Sequence, residues 1–152
     1  MIFNDDDSGE AADLVCLKDV DDGTIRLCLV HCKGAHGGAV SPDIRNFYDV
    51  CGQAQKSIVA KHPGLPSLYN DLKLQHELWA QNGFSRFLKG GMKELSFFKE
   101  KGRRSKLPFE MILVQPGASA ATVTDDSLRL LATTELYLKK TTQADLRVVV
   151  SP

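Results

Sequence analysis

The feature that most constrains this chain is a pair of alternating apolar runs on either side of an acidic, glycine-containing turn. Residues 13–19 (DLVCLKD) and 25–33 (IRLCLVHCK) follow the period of two that marks half-buried strands, and residues 20–24 (VDDGT) supply the turn that joins them into a hairpin. Successive strand side chains point to opposite faces, so register decides which residues share a face. A three-residue loop of Asp21, Asp22 and Gly23, with glycine in the left-handed conformation, pairs Val20 with Thr24. It then sets Asp13 opposite His31, Val15 opposite Leu29 and Leu17 opposite Leu27. A two-residue Asp22-Gly23 turn sets Asp13 against Cys32 instead, with the carboxylate and His31 on opposite faces unless a bulge intervenes. The first register is the one we expect.

Beyond the hairpin, residues 34–41 form a glycine-rich loop, and Ser41 and Pro42 suit the N-cap and first turn of a helix that should run to about His62, ahead of Pro63 and Gly64. Its apolar stripe is Ile44, Phe47, Tyr48, Cys51, Ile58 and Val59, one face for a sheet. Gln55 sits in that stripe and needs a buried polar partner, since an unpaired amide costs about 1–3 kcal/mol. Gly52 at the stripe's edge suggests a close approach. Residues 65–101 read as helical, interrupted at Gly83 and at Gly90 and Gly91. Residues 102–105 form a basic turn, and residues 109–115 an almost unbroken apolar run, as in a strand covered on both faces. Thr124, followed by Asp125 and Asp126, caps a helix to about Lys140 that buries Leu128, Leu131 and Leu138, and residues 146–150 supply a last strand. The order of hairpin, helices, strand, helix, strand describes one domain over residues 1–152 with a three-layer α/β arrangement.

With 152 residues, 43% of them hydrophobic and 25% charged, the chain can bury one sizeable core. No apolar run reaches the roughly 18 residues of a membrane span, and the N-terminus is acidic where a signal peptide is basic, so the expected setting is the cytoplasm. The net charge is zero but unevenly distributed. Asp5, Asp6, Asp7, Glu10, Asp13, Asp19, Asp21 and Asp22 crowd the start, whereas Arg86, Lys89, Lys93, Lys99, Lys101, Arg103, Arg104 and Lys106 dominate a later stretch. That pairing suits a site for a divalent cation beside a surface for phosphate; two ordinary solvated faces are the plainer explanation.

Hydrolysing a phosphodiester near neutral pH calls for a divalent cation held by carboxylates, and a nearby lysine can orient the attacking water and add positive charge. Asp13 at a strand end, with Lys33 two residues past His31 on the paired strand, meets that description, and Glu10 is near enough to add a second carboxylate. These residues resemble the PD-(D/E)XK nuclease superfamily, with its acid on one strand and an acid-x-lysine triplet on the next. The resemblance covers residues 9–57, through "GEAADLVCLKD", "IRLCLVHCK" and "VCGQAQKS". It implies a restriction-endonuclease-like three-layer sandwich with a central mixed sheet flanked by helices, and a metal-dependent nuclease acting on DNA with Mg²⁺ or Mn²⁺. Asp13 would be the first metal-binding acid, Lys33 the catalytic lysine, and the Cys32 carbonyl a further ligand. A glutamine in the following helix also recurs in parts of the superfamily, pointing to Gln55 and, behind it, Gln53. Gln53 and Lys56, off the apolar stripe, and Arg103 and Arg104 in the basic turn are the candidates for nucleic-acid contact.

Two departures stand out. His31 replaces the usual second acid, and an imidazole ligates divalent metals without adding negative charge, so either Glu10 compensates, a softer ion such as Mn²⁺ serves, or the site is weakened. The helix that usually precedes the first strand has no room before Met1, which fits a fragment of a larger protein with a helicase or other DNA-translocating part; a homodimer is a further expected partner arrangement. The alternative function is a catalytically weakened or inactive member of the same fold that binds nucleic acid or protein. A third reading is a zinc or redox domain using Cys28, Cys32, Cys51 and His31, although strand alternation points Cys28 and Cys32 away from His31. The four cysteines form no CxxC pair and read as structural thiols, and His36, His62 and His76 read as incidental.

Overall fold

The computed structural model describes residues 1–6, 10–20, 22–33, 41–58 and 64–151. In chain order these hold β1 (Ile2–Asn4), β2 (Leu14–Val20), β3 (Thr24–Cys32), α1 (Ile44–Ser57), α2 (Gly64–Ala80), β4 (Phe87–Lys89), α3 (Met92–Gly102), β5 (Phe109–Gln115), α4 (Asp125–Thr142) and β6 (Asp145–Val150). The strands make one six-stranded mixed sheet in the order β4-β1-β2-β3-β5-β6, flanked by the four helices. β1, β2 and β3 form an antiparallel meander, and β4 pairs antiparallel with β1. Beyond β3 the sheet turns parallel: β5 pairs with β3, and β6 with β5.

The hairpin has the register of the three-residue loop. Val20 pairs with Thr24, Leu17 with Leu27 and Val15 with Leu29. Gly23 takes a φ of +80°, open to glycine at no steric cost. Residue 21 lies outside the described residues. One step past the Leu14–Val30 pair, the same register sets Asp13 opposite His31.

All strand residues that are completely enclosed line one face of the sheet: Phe3, Val15, Leu29 and Met111 form one cross-strand row, and Leu17, Leu27 and Phe109 the next. Val50, Cys51 and Ala54 of α1, Leu65, Leu68 and Leu72 of α2, Leu95 and Phe98 of α3, and Leu138 of α4 join them in a single core. On the opposite face Leu14, Cys16, Cys28, Val30, Ile112 and Val114 are half-buried, and Lys18, Arg26 and Cys32 are exposed. The cover expected on both faces of β5 is therefore complete on one face only, and the strand alternates buried and half-buried residues along its length.

Several local expectations are corrected. The cap of α1 is Asp43, whose Oδ1 accepts from the Arg45 N–H at 2.8 Å; the Ser41 carbonyl accepts from Asn46 instead. The buried face of α1 is Asn46, Phe47, Val50, Cys51, Ala54 and Ser57, so Tyr48 points to solvent, and Gly52 faces open space with no close neighbour. Described helix ends at Ser57 with Ile58 as its cap; residues 34–40 and 59–63, with His36 and His62, lie outside the described residues. Within 65–101 a short strand, β4, separates two helices, because Gly83 and Gly90 take φ values of +79° and +87° that end a helical run. In α4, Thr124 caps as expected, Leu138 is buried and Leu131 packs at the core's margin, but Leu128 is exposed.

Candidate metal centre

Asp13 enters β2 with its backbone carbonyl accepting from the Asp5 N–H at 3.0 Å, which carries the β1–β2 pairing one step beyond Asn4 and Leu14. Its side chain closes the same end of the hairpin: Oδ2 accepts from the Cys32 N–H at 2.5 Å. In an extended strand the N–H and C=O of one residue point to the same side, so the Cys32 carbonyl is directed toward the Asp13 side as well.

Asp5 folds the segment ahead of Asp13. Its carboxyl is almost fully enclosed, accepts from the Ala11 N–H at 2.8 Å, and is raised to about 6 by burial, with the Glu10 charge adding to the rise and the backbone bond from Ala11 opposing it. Arg86, itself buried, lies 4.2 Å from the centre of the Trp79 ring and donates to the Asp6 carbonyl at 3.0 Å. Between these anchors the carboxylates of Asp6, Glu10 and Asp13 converge, with one oxygen of each within 4.8 Å of the others. Among the described residues this is the one cluster of three or more acidic, histidine or cysteine ligands.

His31 completes the picture from β3. It is 1% exposed, its Nδ1 lies 3.9 Å from Asp13 Oδ2 with no hydrogen-bond partner, and its Nε2 lies 2.9 Å from the Ser57 hydroxyl on α1. Burial lowers its pKa, and the smaller pull of Asp13 in the other direction does not reverse this, so the ring is held neutral. The bare, enclosed nitrogen faces Asp13, and His31 stands outside the cluster that Asp13 forms with Asp6 and Glu10; carboxylate oxygens are donors suited to Mg²⁺ or Mn²⁺, and an imidazole nitrogen is one suited to the softer ion.

Lys33, on the same strand face as His31, is half-buried with Nζ 3.2 Å from Asp49 of α1. Asp49, Gln53 and Ser57 follow one another at intervals of four along α1, a stripe that meets Lys33 at one end and His31 at the other. Gln53 lies between, its Oε1 buried and without a partner and its backbone carbonyl accepting from the Ser57 hydroxyl at 2.8 Å. Gln55, the glutamine preferred from the sequence, is directed elsewhere: its Nε2 donates to Thr134 of α4 at 3.2 Å, satisfying the polar partner it needed across a helix–helix contact. The helix is rotated from the predicted stripe, and this exchanges the two glutamines.

Asp13 thus meets Asp6 and Glu10 on one side and His31 and the Cys32 N–H on the other, and Lys33 follows two residues past His31 beside Asp49, whereas Arg103 and Arg104 lie elsewhere. Lys101 pairs with Asp19, and Lys106 donates its backbone N–H to the Gly23 carbonyl, so both arginines sit at the turn end of the hairpin. Six residue steps separate Asp19 from Asp13, on the order of 20 Å along the strand. Arg103 pairs with Glu100 at 3.6 Å, and Lys56 is exposed on α1. The zinc set does not converge: Cys51 is buried under α1, Cys28 and Cys32 occupy the sheet face opposite His31, and burial pushes the Cys28 thiol up to about 12, far from a ready thiolate. His76 packs edge-on against Phe87 at 4.8 Å.

Asp6, Ser57, Asp49, Asp5 and Arg86 were not singled out from the sequence. The four-residue spacing of Asp49, Gln53 and Ser57 carried a usable signal, but only once the face of α1 is known. No helix among the described residues is long and apolar enough to cross a membrane. Comparison with protein-family models, curated proteins and solved structures finds no match.

Proposed function

We propose that the chain is a divalent-metal-dependent nuclease domain of restriction-endonuclease-like, three-layer architecture that hydrolyses DNA phosphodiester bonds. The observation that carries this reading is the convergence of the Asp6, Glu10 and Asp13 carboxylates, with the unpartnered Nδ1 of His31 3.9 Å from Asp13 and Lys33 two residues further along the chain. The element order supports it too: hairpin, crossover helix and parallel strand follow the sequence of the PD-(D/E)XK core.

Asp13, Glu10, Asp6, His31 and the Cys32 carbonyl would hold Mg²⁺ or Mn²⁺, which supplies positive charge for the developing phosphorane and lowers the pKa of the attacking water. Lys33 orients that water and offsets phosphate charge, with Asp49 fixing its ammonium. Asp13 also ties the hairpin end together by accepting from the Cys32 N–H, which fixes its carboxylate relative to β3. Arg103 and Arg104 reach DNA away from the scissile bond. A cytoplasmic setting, a homodimer and a parent chain with a helicase or other DNA-translocating part belong to the same reading.

One observation favours a second reading, a non-catalytic member of the fold that binds nucleic acid or protein: Lys33 is engaged by Asp49, and the second acid is a buried histidine. Supercoiled plasmid incubated with purified protein and Mg²⁺ or Mn²⁺ separates the two. The nuclease reading expects nicking that falls about 10²-fold or more in Lys33→Ala. Intact plasmid with wild type, or equal nicking by Lys33→Ala, favours the binding module.

A further inference from the structure

Ser57 has one hydroxyl hydrogen and two close neighbours. The Gln53 carbonyl, 2.8 Å away, only accepts, while His31 Nε2, 2.9 Å away, donates or accepts according to tautomer. If the hydroxyl donates to Nε2, the 2.8 Å contact with the Gln53 carbonyl sets two oxygens face to face without a hydrogen. If it donates to the carbonyl, Nε2–H donates to Oγ and both contacts are hydrogen bonds. The second arrangement leaves Nδ1 without a proton. That nitrogen has no partner, is enclosed with the rest of the ring, and faces Asp13 Oδ2 at a distance too long for a hydrogen bond.

We infer that Ser57 is a positioning residue for the metal centre: it holds His31 in the Nε2–H tautomer, so that the bare Nδ1 serves as a nitrogen ligand on the Asp13 side of that centre. This rests on the metal-centre part of the reading above, not on cleavage. The relay from His31 through Ser57 to the Gln53 carbonyl fixes both ring angle and tautomer, as second partners of metal-binding histidines do. It also gives the histidine in the second-acid position a use: the site loses a negative charge and gains selectivity for an ion that accepts nitrogen.

Two measurements test it. Long-range ¹H–¹⁵N correlation spectra of the metal-free protein, with His31 assigned by its absence from His31→Gln, should show the Nε2–H form. Calorimetry with Mn²⁺ should show binding that is lost in Asp13→Ala, weakened about 10- to 100-fold in Ser57→Ala, and within a few-fold of wild type in Ser57→Thr, which keeps the hydroxyl. An Nδ1–H tautomer in wild type, no Mn²⁺ binding, or unchanged affinity in Ser57→Ala overturns the inference. If Ser57→Ala does not fold, the wild-type tautomer and Ser57→Thr decide. Protein that binds Mn²⁺ through His31 yet leaves plasmid intact refutes the nuclease reading and leaves this one standing.

Discussion

Asp5 shows how one side chain organises the acidic end of the chain, and at what cost. Its carboxyl is enclosed and bonded to the Ala11 N–H, which holds Ala11 beside Asp5, next to the residues Asp6 and Glu10 whose carboxylates meet Asp13. Its pKa, raised from 3.8 to about 6, means the folded state holds a proton that the unfolded state has released between those values. Stability from this group is therefore fully present near pH 4 and is lost as pH rises to about 6, a change of about 2–3 kcal/mol. In protein stripped of metal with a chelator, the stability difference between Asp5→Asn and wild type should shift in favour of the asparagine variant by that order between pH 4.5 and 7.5. Urea melts at the two pH values check it, and a difference that does not move with pH would contradict the account. Asp22 and Asp145, exposed and lowered by neighbouring donors, have the opposite sign, which is why the comparison is made against Asp5→Asn.

Glycines separate two kinds of contact among the elements. Gly102 ends α3 against α2, where an added Cβ would lie 2.4 Å from Leu65 Cδ1 and 3.2 Å from its Cβ. Leu65 is in the core and has little room to yield, so Gly102→Ala should destabilise by about 1–3 kcal/mol despite alanine's better helix propensity. Gly52 is the converse: with no neighbour within 4 Å on an exposed helix face, Gly52→Ala should stabilise by about 0.5–1 kcal/mol. Thermal or urea denaturation of both variants reads the two signs. The Gly52 outcome also marks where the sequence misled, since a glycine beside an apolar stripe looked like a close approach. The hairpin, α1, β5, α4 and β6 were legible because each is long enough for its period to show, and Gly23 fixed the register. β1 and β4 were not, because three residues carry no period; Phe3 is committed by its packing on Phe87, a contact between residues far apart in sequence. A modest rotation of α1 then exchanged Gln55 for Gln53, because a stripe read from apolar residues alone passes over the polar Asn46 and Ser57 that this helix buries.

Across the whole molecule, the chain's balanced charge separates along the sheet. The carboxylates gather where β2 begins and β3 ends, while Arg103 and Arg104 sit about 20 Å away at the hairpin turn. The pairing of Asp13 with His31 was legible from spacing and register because both lie on one hairpin. Asp6 was hidden in an acidic run whose members look alike, and Ser57 required a contact between β3 and α1. In the proposed metal centre Asp6 would add a charge and Ser57 would hold His31 in place. The most direct measurement is an anomalous difference map from crystals of the protein soaked in Mn²⁺. The account predicts a peak at the carboxylates of Asp6, Glu10 and Asp13, on the side where Asp13 faces His31 Nδ1, absent in Asp13→Ala. A map without a peak there, or with the ion bound elsewhere, would contradict it.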